Sequence, residues 1–307
     1  MIKKLLFISI LLLGTAAAWG QQLPQYSQYI FNHYAINPAY GGTTDSWEAV
    51  SNNRLQWVGI TDAPRTFTLS VQGPTRNKKM GFGAFVYTDI VGPTRRVGAQ
   101  VSYSYIFQLS EKIKLSLGIS LGMNQWLLDA HKIVTNDPGD LYFSNGLIKS
   151  NDFDMKAGFW LYHDDWWVGF SAPQIIQNKL YFFDEQTSSL SIMEDHYFLN
   201  GGYTFHLHDD WDLEPSVMLK YVYPAPFKFD VTLRTIWKDM LWLGAGYRTQ
   251  DAVTIMAGYN YKDYLSFGYS YDITTTPLKV ASKGTHELML SFKFAHVKPK
   301  QEKDSFE

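Results

Sequence analysis

The chain has 307 residues, of which 46% are hydrophobic and 18% charged, with 20 Tyr, 20 Phe, 10 Trp and no Cys. Absent cysteine excludes disulfides, thiolate metal sites, a Cys nucleophile and a lipidated N-terminal Cys. A net charge of -2 gives no electrostatic basis for nucleic-acid binding. Charge is scarcer than the quarter usual in soluble domains, yet the mean hydropathy is slightly negative, so apolar residues are interspersed with polar ones.

The one exception opens the chain. Lys3 and Lys4 precede an apolar core from Leu5 to Leu13 and the small residues Thr15-Ala16-Ala17-Ala18. That order is expected of a secretory signal over residues 1–20, with Ala18 and Gly20 before the cut. The mature chain then begins near Gln21 and is exported.

Strict alternation follows. In 227–237, Phe227, Phe229, Val231, Leu233 and Trp237 share one face, while Lys228, Asp230, Thr232 and Arg234 share the other. Residues 113–123, 253–261 and 265–273 repeat the pattern. A period of two means strands with one face in an apolar medium. Chain order gives about fourteen: 47–55, 65–73, 80–89, 95–108, 112–127, 153–163, 165–172, 195–208, 211–222, 226–237, 240–248, 251–261, 263–273 and 284–294.

A sandwich core and a lipid bilayer both supply such a medium, and three features favour the bilayer. The opposite faces are rich in Gly, Ser, Asn and ions, as a watery lumen requires. Aromatics such as Trp57, Trp126, Trp166, Trp167, Trp211, Trp237 and Trp242 fall near strand ends, where interfacial girdles place them. Joints after even strands are tight and charged, as in Asp209-Asp210 and Lys238-Asp239, whereas 56–64, 128–152, 173–194 and 274–283 are long. The reading is an all-β transmembrane antiparallel barrel with short periplasmic turns and long external loops. Its parts are a signal peptide (1–20), an N-terminal segment (21–46), the barrel (47–294) and a polar periplasmic tail (295–307). An even strand count puts both termini on the periplasmic side. The last strand, with His286, Leu288, Leu290, Phe292 and Phe294 on one face, ends on an aromatic, like the assembly signal of outer-membrane barrels. Ser144-Asn145-Gly146-Leu147 predicts a hairpin within one long loop, and Leu180–Phe183 with Leu190–Met193 predict another, aromatic enough to contact a second protein.

Chemistry is harder to place. Gly118-Ile119-Ser120-Leu121-Gly122 matches the serine-hydrolase elbow, but that elbow needs a strand-to-helix turn, and here it sits within an alternating strand. His206 and His208 with Asp209, Asp210 and Asp212, and His163 with Asp164 and Asp165, could bind a cation, but both groups read as turn residues. No cofactor site, metal site or catalytic residue is assigned. The interior of so large a barrel is too wide for small side chains. Either ions such as Lys156, Lys228, Asp230, Arg234, Arg248, Glu287 and Lys293 pair across it, or a polar segment or water fills it.

The residues before and within the first hairpin carry a family likeness. Gln25-Tyr26-Ser27-Gln28-Tyr29-Ile30-Phe31-Asn32 leads into Ile36-Asn37-Pro38-Ala39-Tyr40-Gly41-Gly42, then Arg54, Gln56-Trp57, Gly59 and Ala63-Pro64-Arg65-Thr66. With Gly81, Gly83, Asp89, Gly92, Gly202-Tyr203, Pro215-Ser216, Gly268–Asp272 and His286-Glu287-Leu288-Met289-Leu290, the mature chain resembles the PorP/SprF family of Bacteroidota outer-membrane proteins. The resemblance implies a non-enzymatic component of the type IX secretion system, needed for secretion or surface attachment of cargo with C-terminal sorting domains, such as gliding adhesins. It also implies partners: outer-membrane lipid, a periplasmic peptidoglycan-associated protein and other secretion components. A porin-like solute channel is the alternative. The residues singled out are Asn37, Pro38, Ala39, Tyr40 and Gly41, which fold the N-terminal segment against the periplasmic mouth or into the lumen, Arg54, Gln56, Trp57 and Pro64, which fix the first hairpin, and His286 and Glu287 in the last strand.

Overall fold

A computed structural model describes residues 26–133, 146–176, 195–222 and 225–297. The alternating stretches form β1 (Ser46–Leu55), β2 (Arg65–Pro74), β3 (Met80–Val91), β4 (Thr94–Gln108), β5 (Lys114–Asp129), β6 (Leu147–Tyr162), β7 (Trp166–Ala172) and β8 (His196–Tyr203). They continue as β9 (Phe205–His208), β10 (Trp211–Val222), β11 (Lys228–Trp237), β12 (Leu241–Arg248), β13 (Ala252–Tyr261), β14 (Leu265–Thr274) and β15 (Thr285–His296). Each is antiparallel to its neighbours; β1 pairs with both β2 and β15, and β10 with β11, which closes the sheet into a ring. β8 and β9 both pair with β10 and are halves of one stave interrupted at Thr204, so the wall is a closed barrel of fourteen antiparallel staves.

Side-chain alternation sets which face is which. Along β2, Phe67 and Leu69 are exposed on the outside while Thr66, Thr68, Ser70 and Gln72 are buried inside. The same holds for Leu117, Ile119, Leu121 and Met123 against Ser116, Ser120 and Asn124 of β5. An apolar exterior around a polar interior inverts the soluble pattern, as a bilayer demands.

One end of the barrel has only brief joints: 75–79, 109–113, 163–165, 209–210, 238–240 and 262–264. The other carries 56–64, 130–146, 173–195 and 275–284, although 92–93 and 249–251 are tight there too. β6 begins at Leu147 rather than near 153, since 147–151 continue the pairing with β5; Lys149, Ser150 and Asn151 lack the apolar alternation that marks a strand. The hairpin expected around Asn145 and those of 180–193 fall wholly or partly outside the described residues, as does the segment 1–20.

The tryptophans divide in two, which corrects the girdle expectation. Trp211 is exposed beside Trp237, and Trp166 stacks on His163, all at the turn end. Trp126, Trp167 and Trp242 instead occupy inner-face positions, and Trp242 is only 1% exposed. Placement near a strand end does not distinguish a residue facing lipid from one facing the lumen.

Candidate functional site

Residues 26–43 run through the barrel. Their hydrogen bonds reach β1, β2, β4, β6, β7, β10, β14 and β15, and a segment touching staves all around the ring lies inside it. Pro38 cannot continue a helix, and Asn residues cap locally. The segment is accordingly a chain of short turns: Tyr29–Phe31, His33–Ile36 and Pro38–Tyr40. Asn32 caps the second turn by accepting from the Ala35 amide, and Asn37 caps the third by accepting from Ala39.

At the loop end the segment is held by ions. The Arg54 guanidinium donates to Asp272 at 2.8 Å and to Glu287 at 2.8 Å, and all three are at most 2% exposed. Ser27 joins them: its amide donates to Glu287 at 2.8 Å, and its hydroxyl donates to Asp272 while accepting from Arg54 at 2.6 Å. Gln28 donates its amide and its side-chain nitrogen to Glu287. Arg248 adds contacts to the Tyr26 carbonyl and the Ser27 hydroxyl, and pairs with Asp230 and Asp251. Sheet register assembles this cluster, because Arg54 stands directly opposite Glu287, and Asp230 opposite Arg248.

The middle of the segment meets the wall through polar pairs and rings. Tyr29 pairs with Ser216, Asn32 donates to Asn52, and Tyr34 meets Ser102 at 2.7 Å. Phe31 packs on Trp242 with ring centroids 4.2 Å apart, and the Arg234 guanidinium lies over the Phe31 ring. His33 sits among Tyr40, Trp160 and Trp167. Packed in that nest, the imidazole is 7% exposed.

At the turn end the 37–42 motif docks on the wall. Asn37 is fully buried, and its side-chain nitrogen donates to the carbonyls of Phe159 (2.9 Å) and Phe170 (3.1 Å) on β6 and β7. Ala39 lies against Gly118, where an added Cβ would strike the Ala39 backbone. Tyr40 meets Trp160 edge-on, the Gly41 carbonyl accepts from Ser104, and the Gly42 amide donates to Gln72. Gly42 has φ +75, a backbone region that favours glycine, and this turn delivers the chain to β1. Gly118→Val is expected to cost about 1–3 kcal/mol through overpacking, while lipid-facing Ile119→Ala costs less; chemical unfolding of the two variants compares them.

The remaining singled-out residues separate. Gln56 donates its amide to the Pro64 carbonyl at 2.9 Å, closing the first hairpin, and the Trp57 amide donates to Thr285 across to the β14–β15 joint. Arg54 pairs with Thr66 in the first hairpin, but its side chain turns inward, since its position shares the inner face with Val50 and Asn52. Glu287 is inward too, whereas His286, next to it, faces outward and bonds the Tyr269 hydroxyl at 2.7 Å. Lumen residues pair extensively, with Lys220 on Asp230 and Arg234 on Glu214. Ser120 lies buried mid-strand on the inner face, without the turn an elbow serine requires. Among the described residues, no cluster of three His, Asp or Glu is arranged to hold a metal. Ser27, Gln28 and Asp272 belong to the site with no signal in the sequence beyond the family likeness and, for Asp272, its inward phase, whereas Arg248 is one of the ions the sequence places inside.

Comparison with known proteins adds the lineage. The family model for the type IX secretion system membrane protein PorP/SprF matches residues 18–292. The chain belongs to the PorP/SprF family. This PorP/SprF protein has no match among curated proteins. Its fold resembles solved barrels: the CymD monoaromatic hydrocarbon channel (TM-score 0.51, 11% identity, 91% of this chain and 96% of that one) and the toluene transporter TbuX of Ralstonia pickettii (0.51, 8%, 86% and 93%). The P. putida toluene transporter TodX is comparable (0.51, 10%, 85% and 93%). At such identities the likeness is one of fold. Family and barrel together make this an outer-membrane protein.

Proposed function

We propose that this protein is an outer-membrane platform of the type IX secretion system, supporting secretion or surface attachment of cargo with C-terminal sorting domains, such as gliding adhesins. The observation that carries the reading, beyond family membership, is the occupied lumen. A segment anchored at the loop end by Arg54, Asp272 and Glu287 and at the turn end by Asn37 and Gly42 occupies the lumen that a passing polypeptide would need. The work then falls to surfaces: the turn end facing periplasmic components, including a peptidoglycan-associated protein, and the long loops facing cargo outside. Comparing the exported and cell-attached proteins of a deletion strain with its parent tests this; loss of a defined set of sorting-domain cargo is expected, and an unchanged profile overturns it. The second reading, a solute channel, draws on the cleft at the loop end of the lumen. It predicts steady ion conductance from the purified protein without partners.

A further inference from the structure

Above the inserted segment, on the loop side, lies a cleft of about 1090 Å³ including the space at its open mouth. Tyr26, Tyr29, Ala35 and Ile36 of the segment line it, with Phe85, Phe198, Met218 and Val222 from the wall. Arg96, Lys156, Lys220 and Lys228 line it as well, and among the described residues the lining carboxylate is Asp154. The apolar residues and the cations thus share one space.

The cations are unevenly satisfied. Lys220 is paired with Asp230, and Asp154 accepts from Gln100 at 2.6 Å. Arg96, 5% exposed, is held between the rings of Tyr87 and Trp126 at 5.4 and 4.6 Å, yet its Nε and one terminal nitrogen have no hydrogen-bond partner. Lys156 has its ammonium 5.0 Å from the centre of the Phe85 ring, and neither it nor Lys228 forms an ion pair among the described residues. Asp89 stands opposite Arg96 in the sheet and Asp154 lines the cleft beside Lys156, so the charges are partly offset, yet donors left open on a buried cation are costly, and a concave apolar site with a few converging polar groups is the usual form of a ligand pocket.

We propose that this cleft binds a small anionic amphiphile from the loop side: an acyl carboxylate whose head meets Arg96 and Lys156 and whose chain lies against Phe85, Phe198, Met218 and the floor formed by Tyr29 and Ile36. The inserted segment thereby becomes part of a binding site as well as a closure. Ring contacts hold the two cations in place before the ligand arrives, so little ordering is needed on binding. The inference is independent of the role in secretion.

Calorimetric titration of the full-length protein in a nonionic detergent, with octanoate, octanol and octylammonium as probes, tests it. Saturable one-to-one binding of octanoate is expected, with octanol and octylammonium at least about tenfold weaker. The Arg96→Gln/Lys156→Gln double variant should lose about tenfold or more in octanoate affinity. Equal binding of octanol, or undiminished octanoate binding by a double variant that migrates as a folded barrel on unheated gels, overturns the proposal. Should that variant fail to fold, the single Lys156→Gln variant carries the test: octanoate binding weakened relative to octanol supports the site, and unchanged octanoate affinity overturns it. A short peptide with an apolar residue and a free carboxyl terminus that outcompetes octanoate also overturns it, assigning the cleft to a polypeptide end.

Discussion

Arg54→Met is expected to destabilise the folded barrel by about 3–5 kcal/mol, the usual result of removing one partner from a buried ion cluster. The guanidinium satisfies Asp272 and Glu287 at once and donates to the Ser27 hydroxyl. Without it, two carboxylates that are at most 2% exposed keep only Arg248, 3.6 Å from Asp272, and neutral donors. Methionine fills similar space but brings no charge, so the loss is electrostatic rather than a cavity effect. Relief comes from moving the inserted segment, because hydrating Glu287 means breaking its bonds from the Ser27 and Gln28 amides. The expected readouts are a lower urea midpoint and faster protease cleavage near residue 27, with intact strands by far-ultraviolet circular dichroism. The triple variant R54M/D272N/E287Q should recover much of the loss, since removing every charge leaves none unpaired. A single variant as stable and as protease-resistant as the parent would show that the cluster does not anchor the segment.

How much of this the sequence made legible follows from what alternation encodes. A period of two states which residues share a face, and Lys228, Asp230 and Arg234 on the face opposite Phe229 and Val231 sufficed to place ions inside the barrel. It does not state register, because sliding one strand by two residues preserves every face. The meeting of Arg54 with Glu287, 233 positions away, therefore could not be read, and Arg54 looked like a hairpin residue from its place near the end of β1. Trp242 was misplaced for the related reason that aromatic character fits lipid and a packed lumen equally well. Asn37–Gly42 was recognisable as a turn-forming motif from Pro38 and the glycines. Its docking partners, the backbone carbonyls of Phe159 and Phe170, are identical groups at every residue and leave no mark in a sequence.

Deleting residues 21–43 while keeping the signal segment should turn a closed barrel into a conducting one. Eight-stranded barrels are filled by their own side chains, whereas barrels of sixteen to eighteen strands hold an aqueous channel; fourteen staves stand nearer the second case. The inner wall beneath the segment combines short polar side chains such as Asn52, Ser70, Ser102 and Ser116 with an apolar patch of Val50, Met218, Trp242, Met256 and Met289, and Gly118 offers no side chain at all. Once the segment is gone, water satisfies the polar groups, so the ring of backbone hydrogen bonds survives and a hydrated path opens from the turn end to the loop end. In planar lipid bilayers the parent protein is expected to give no steady current and the deletion variant stable open-channel steps. Arg54→Met, which frees only the loop-end anchor, should give brief openings, because Asn37 and Gly42 still hold the turn end. Unchanged conductance on deletion would mean that the inserted segment does not seal the lumen, and the platform reading would lose its main physical support.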